Sequence, residues 1–284
     1  MKLISFAIDG EARYGAVEGE MVIDLTARLG RRFPSLLALI EADALAEAQA
    51  ALATPGPRHA LADIAWREPI PEARRIFCVG ANYPKIHPTG GVVSGPEFPA
   101  IFQKPAETLV PHKASLQAPT ASRQFDYEGE LAFVIGRGGA NIPPGEALSH
   151  IAGYACLNDG SVRDFQKHSV WAGKNFVRSG GFGPWMVTAD EVGDPAALTL
   201  VTRLNGEEVQ RTSLDRMFFS VPAIIAYLSA VTPLLPGDVV ATGSPEGSGA
   251  TRTPPRWLAP GDRIEVEVER VGVLENIVGQ QLST

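Results

Sequence analysis

The sequence predicts an α/β chain of the β-rich, α+β kind, with one large domain preceded by a small one. Three observations predict it. From Arg75 onward, short β-type runs such as RIFCVGA, YEGELAFVIG, LTLVTRLNG and DRIEVEVERVGVLENIV are separated by Gly and Pro. Only two helical patterns interrupt them, near 144–151 and 220–230 (SVPAIIAYLSA), too few for an alternating βα sheet. Finally, 284 residues are enough for a large core and a smaller unit beside it.

Taken in order, residues 2–25 read as short strands around turns: KLISFAI, a DGE turn, YGAVEG and MVIDL. The stretch from Pro34 to about Leu52 is Ala/Leu-rich with helical spacing and predicts one helix, broken by TPGPRHA. Residues 1–70 therefore form a small N-terminal α/β domain, EPIPEARR (68–75) links it onward, and 71–284 form the main domain. Stretches 137–146 and 247–262 are rich in Gly and Pro and predict surface loops.

Composition narrows the function. Hydrophobic residues at 45% and charged residues at 20% exclude a disordered or fibrous chain. A net charge of −7 without a basic run argues against nucleic-acid binding. No apolar stretch has the length of a membrane span, and the N-terminal run is cut by Asp9 and Glu11, so no membrane partner and a cytoplasmic location are expected. Cys78 and Cys156 sit in apolar runs without CxxC spacing and read as buried free thiols.

The most informative segment is FDYEGELAFVIG. Glu128 and Glu130 are two apart in a strand-like run, which puts both on one face, with Asp126 two residues earlier. Like charges so placed need something positive between them, unless they form a solvated polar face. In LNDGSVRDFQKH, Asn158 and Asp159 follow an apolar strand, with Gly160 permitting a turn; Asp159 is either a metal-facing carboxylate or a helix cap. Three carboxylates make a hard oxygen site suited to Mg2+ or Mn2+, and no His or Cys cluster competes. Lys174 in GKNF is a candidate partner for a developing oxyanion or an ordinary surface lysine, and ATGSPEGSG offers backbone N–H groups and the Thr242 hydroxyl.

These segments, in this order, resemble the fumarylacetoacetate hydrolase family. GANYPKIH, DYEGELAFVIG, NDGSVRDFQ, GKNFVRSGGFGPW and TGSPEGSG are the counterparts of that family's motifs, over about residues 76–278. The resemblance implies a mixed β-sandwich roll, a homodimer, and Mg2+ or Mn2+ (Ca2+ being also compatible) held by Glu128, Glu130 and Asp159. It implies Lys174 near the metal, Arg163 and Gln166 facing a small anionic keto-acid substrate, and Thr242 and Tyr83 as further substrate contacts. The activity it implies is hydrolysis of a C–C bond in a 2,4-diketo acid, with oxaloacetate decarboxylation or keto–enol tautomerisation as the alternative. A non-catalytic protein with a structural metal is a third reading. His87 takes the place of the family's catalytic base, one residue later than the pattern and without a Glu in HxxE spacing, so Glu97 is the stand-in for that carboxylate. Val177-Arg178 replace the family's Asp-Thr, which makes Arg178 a candidate for an anionic substrate group.

Overall fold

Alternation along one strand explains how two cores and a site arise from one sheet. In Gly129–Ile135, Leu131, Phe133 and Ile135 enter one hydrophobic core, while Ala132 and Val134 enter another. Both faces of this strand are therefore covered. The computed structural model describes residues 1–84 and 95–280.

Among the described residues the larger sheet has twelve strands. Its middle runs Lys2–Ile8, Gly180–Thr188, Ile151–Asn158, Gly129–Ile135, Val239–Ala241, Ile76–Gly80, Ala100–Lys104. The Val239–Ala241 and Ile76–Gly80 pair is parallel, and the other neighbours in that run are antiparallel. A five-stranded sheet (Glu207–Ser213, Thr199–Leu204, Arg263–Val268, Gly272–Gly279, Ser115–Gln117) covers the face bearing Leu131 and Phe133. This is the β-rich sandwich that the sequence predicts. Cys78 belongs to one core and Cys156 to the other, so the sheet separates the two free thiols.

The N-terminal strands form where expected, at Lys2–Ile8, Glu11–Glu18 and Met21–Asp24. Lys2 and Leu3 pair with Val187 and Met186, so residues 1–70 extend the main sheet, and their core is continuous with Ala132, Val134 and Leu157. The single helix expected over 34–52 is two short ones, Leu36–Glu41 and Leu45–Ala51. Asp43 between them has φ 53, a left-handed conformation that an α-helix does not accept. The helix near 220–230 is Val221–Val231, capped by Ser220, whereas 144–151 contributes only a 3-10 turn at Ala147–His150. Among the described residues no helix is long and apolar enough to cross a membrane.

Candidate metal centre

The site forms where the chain leaves the Ile151–Asn158 and Val239–Ala241 strands, beside the start of Gly129–Ile135. Gly129 faces the smaller sheet, and a Cβ there would meet Thr202 Oγ1 at 2.0 Å. The close approach of the two sheets thus requires glycine, and it turns Glu128 and Glu130 to the opposite face. Asn158 fixes the adjacent backbone by accepting the Glu128 N–H at 3.0 Å, while the Asp159 N–H donates to the Glu128 carbonyl at 2.8 Å. Gly160 has no positive φ. It is needed because a Cβ would lie 1.9 Å from the Ser179 carbonyl oxygen, so close packing and not turn conformation explains this glycine.

The result is a cluster in which Glu128, Glu130 and Asp159 each place a carboxylate oxygen within 4.8 Å of the others. All three are buried, Glu130 and Asp159 to within 2%. The solvated-face reading of the acidic pattern is thereby excluded. So is the helix-cap reading of Asp159, because Arg163–Gln166 begins after Val162 with no side-chain cap. Glu130 accepts the Gly243 N–H at 2.7 Å, and Gly243 has φ +98, which is why the TGS loop carries a glycine there. Burial, then Asp159 and Glu128, push the Glu130 carboxyl well above the usual range.

Two buried lysines and a partly buried arginine offset these acids. Lys174 Nζ donates to Glu128 Oε2 and Asp159 Oδ2, both at 2.6 Å. Burial alone would lower the lysine's pKa, but the charges of Asp159 and Glu128 outweigh it and hold the ammonium protonated. Its helix, Val170–Lys174, is capped by Ser169 and packs Gly173 against Gln166. Arg163 contacts Glu128 Oε1 at 2.7 Å and donates to Gln166 Oε1 at 3.0 Å. Lys104 Nζ lies 2.8 Å from Asp159 Oδ1 in an ion pair and also donates to the Lys174 carbonyl.

A cavity of about 410 Å³ opens onto this cluster. Glu128, Glu130, Asp159, Arg163, Gln166 and Lys174 line its polar side, and Val79, Ile101, Phe102 and Val170 its apolar side. Of the sequence-derived candidates, the structure brings together the three acids, Lys174, Arg163 and Gln166. Thr242 is different: it is fully buried, its hydroxyl donates to the Leu131 carbonyl at 3.0 Å, and it holds the loop in place away from the cavity wall. Tyr83 is also behind the wall; burial and then the charge of Glu130 raise its phenol pKa. Arg178 lines a separate cavity with Arg67, Glu68 and Glu107, because its left-handed backbone (φ 54) turns the chain away after Phe176. Glu97 is exposed and absent from the cavity lining, and His87 lies outside the described residues. Lys104 is the residue that sequence reasoning missed. Its one signal is a charge between Gln103 and Pro105 after the apolar run AIF, which reads equally well as a strand terminus.

The donor set fits a hard divalent cation. Three buried carboxylates supply oxygen ligands only, and among the described residues no other group of three potential ligand residues is present.

Fold and site together define a β-rich protein with a cavity beside a buried, cation-matched carboxylate triad able to hold a divalent metal. Residues 75–279 match the family described as Fumarylacetoacetate (FAA) hydrolase C-terminal. The chain belongs to the fumarylacetoacetate hydrolase family. It is 36% identical over 227 residues to oxaloacetate tautomerase YisK of Bacillus subtilis, covering 78% of this chain and 75% of that protein. It is 37% identical over 238 residues to the human mitochondrial oxaloacetate tautomerase FAHD2A, covering 82% of this chain and 76% of the other. Among solved structures, maleylpyruvate hydrolase from Sphingobium sp. SYK-6, in complex with manganese(II) and pyruvate, superimposes with a TM-score of 0.82 at 30% identity, covering 99% and 100% of the two chains.

Proposed function

We propose that this chain is a metal-dependent enzyme that interconverts the keto and enol forms of oxaloacetate or a closely related 2-oxo dicarboxylate. The observation that carries it is the buried triad of Glu128, Glu130 and Asp159 matched by Lys174, Lys104 and Arg163 beside the cavity. A divalent ion held by the triad would act as a Lewis acid on a 2-oxo oxygen and tip the local balance positive, which suits a dianion. The two oxaloacetate tautomerases of similar sequence support this substrate class.

The chain's own groups divide the work as follows. Lys174, whose Nζ lies 2.6 Å from oxygens of Glu128 and Asp159, is placed to stabilise negative charge on a substrate oxygen. Arg163, with Gln166 beside it on the cavity wall, takes a substrate carboxylate. Val79, Ile101, Phe102 and Val170 give the opposite flank an apolar surface. A tautomerase needs one proton relayed between carbon and oxygen; a C–C hydrolase needs, in addition, an activated water. The cytoplasmic homodimer expected from the family belongs to the same proposal.

A second reading, hydrolysis of an acylpyruvate, is favoured by His87 just after Asn82-Tyr83 in sequence and by the maleylpyruvate hydrolase similarity. The test is to give Mn2+-loaded protein enol-oxaloacetate and an acylpyruvate, following enol absorbance together with products by NMR. Faster enol loss with oxaloacetate intact is the expected result. Pyruvate plus a free acid from the acylpyruvate establishes the hydrolase instead, and pyruvate plus carbon dioxide from oxaloacetate a decarboxylase. No change with either substrate overturns both readings.

A further inference from the structure

Asp126 lies two residues before the triad, fully buried, yet it has no oxygen to offer a metal. Its Oδ1 accepts the N–H groups of Tyr127 at 2.9 Å and Gly249 at 2.7 Å. Its Oδ2 accepts Ala250 N–H at 3.0 Å and Arg163 Nε at 2.8 Å. Four donors saturate the carboxylate. Two come from a distant turn, 123 and 124 residues along the chain, and one from the arginine that faces the cavity.

The turn is built for this approach. A Cβ on Gly249 would lie 1.9 Å from the Arg256 carbonyl oxygen and 2.8 Å from Asp126 Oδ1. Tyr127 holds the approach to the turn through its hydroxyl, which donates to the carbonyl of Gly247, two residues before Gly249, at 3.1 Å. At the other end, the Arg163 guanidinium donates through Nε to Asp126 and through Nη1 to Gln166, while Nη2 lies 2.7 Å from Glu128 Oε1 in an ion pair. Such a fork fixes the plane of the group. The hydrogen bonds thus run without a break from the turn through Asp126 to the Arg163 group that lines the cavity.

We propose that Asp126 is a positioning residue that couples the Gly249–Thr251 turn to Arg163 and so sets how tightly the site takes a substrate carboxylate. This rests on the keto-acid reading only for the identity of that carboxylate. The coupling itself is a property of the fold.

The test compares the wild type, Asp126→Asn, Arg163→Lys and the double variant in two assays. Oxalate, a small dicarboxylate, is titrated calorimetrically into Mn2+-loaded protein. Loss of one charge-assisted hydrogen bond on Arg163 predicts about tenfold weaker oxalate binding in Asp126→Asn. The double variant is then no weaker than Arg163→Lys alone, because the two residues act in series. Binding of Mn2+ alone changes by less than about threefold in Asp126→Asn, since Asp126 is not a ligand. Multiplying effects in the double variant, or unchanged oxalate affinity in Asp126→Asn, overturn the proposal. Amide hydrogen exchange at Gly249 and Ala250 is measured on metal-free protein, and Arg163→Lys is expected to accelerate it. Unchanged exchange in that variant overturns the coupling even if Asp126→Asn does not fold. Should the wild type bind no oxalate, the keto-acid reading falls and the exchange result still decides the coupling.

Discussion

Replacing Glu130 by Gln is expected to stabilise the metal-free protein and weaken the metal-bound one. Glu130 is 2% exposed, and its ligand oxygen lies within 4.8 Å of one on Glu128 and one on Asp159. Two like charges that far apart repel by about 3 kcal/mol at an effective dielectric of about 20. Glu130 meets two such neighbours and is partly relieved by Lys174. Glutamine keeps the Gly243 N–H bond through its carbonyl oxygen and is neutral, the form that this metal-free site favours. Because burial and the two carboxylates outweigh Lys174, the metal-free variant is expected to gain on the order of 2 kcal/mol, or roughly 4 °C in the melting temperature of EDTA-treated protein. With Mn2+ the sign reverses, because one of three anionic ligands has gone, and affinity falls about 100-fold. Scanning calorimetry with EDTA and then with saturating Mn2+ reads both signs. A lower melting temperature for the metal-free variant, or an equal rise with Mn2+ in both proteins, would refute the claim that these acids are held together against their repulsion for a cation.

Other outcomes follow from the same geometry. Lys174→Met strips the ammonium bridging Glu128 and Asp159, and metal-free stability in urea titration drops by about 3 kcal/mol, with Mn2+ restoring part of it. Gly160→Ala drives a Cβ into the Ser179 carbonyl and loses about 3 kcal/mol together with Mn2+ affinity, whereas a neutral result would remove the close-packing explanation. His112 accepts the Glu275 N–H, and burial, aided by Lys113, lowers its pKa to about 4. The folded state therefore resists protonation while the unfolded chain takes up a proton below about pH 6.5. Stability falls as the pH drops from 6.5 toward 4, by about 2 kcal/mol between pH 7 and pH 5. Urea titrations should show that slope reduced by this amount in His112→Asn.

The acids were legible because their pattern is local. Glu128 and Glu130 share a face through strand alternation, and Asp159 ends an apolar strand that pairs with theirs. The β-rich class was legible for the same reason, as were the strands of residues 2–24. What stayed hidden depends on contacts across long sequence distances. Lys104 meets Asp159 only once the Ala100–Lys104 strand has docked, and nothing near it in the chain signals that partner. Asp126 shared the alternation of the glutamates, but its capture by the turn at Gly249 and the arginine at 163 depends on partners far along the chain. The helix over 34–52 failed at Asp43, where a single left-handed residue outweighs the Ala/Leu propensity on either side. Thr242 was placed by its small-residue loop and by motif position, and Arg178 by motif position alone; the Thr242 hydroxyl instead bonds the Leu131 carbonyl and Arg178 lines another cavity.

The measurement that bears most directly on the centre of this account is a Mn2+ titration of the purified chain followed by electron paramagnetic resonance. Wild-type protein should take up one ion per chain, and a variant carrying Glu128→Gln, Glu130→Gln and Asp159→Asn should leave the aqueous signal unchanged. Equal uptake by both proteins, or none by the wild type, would contradict it.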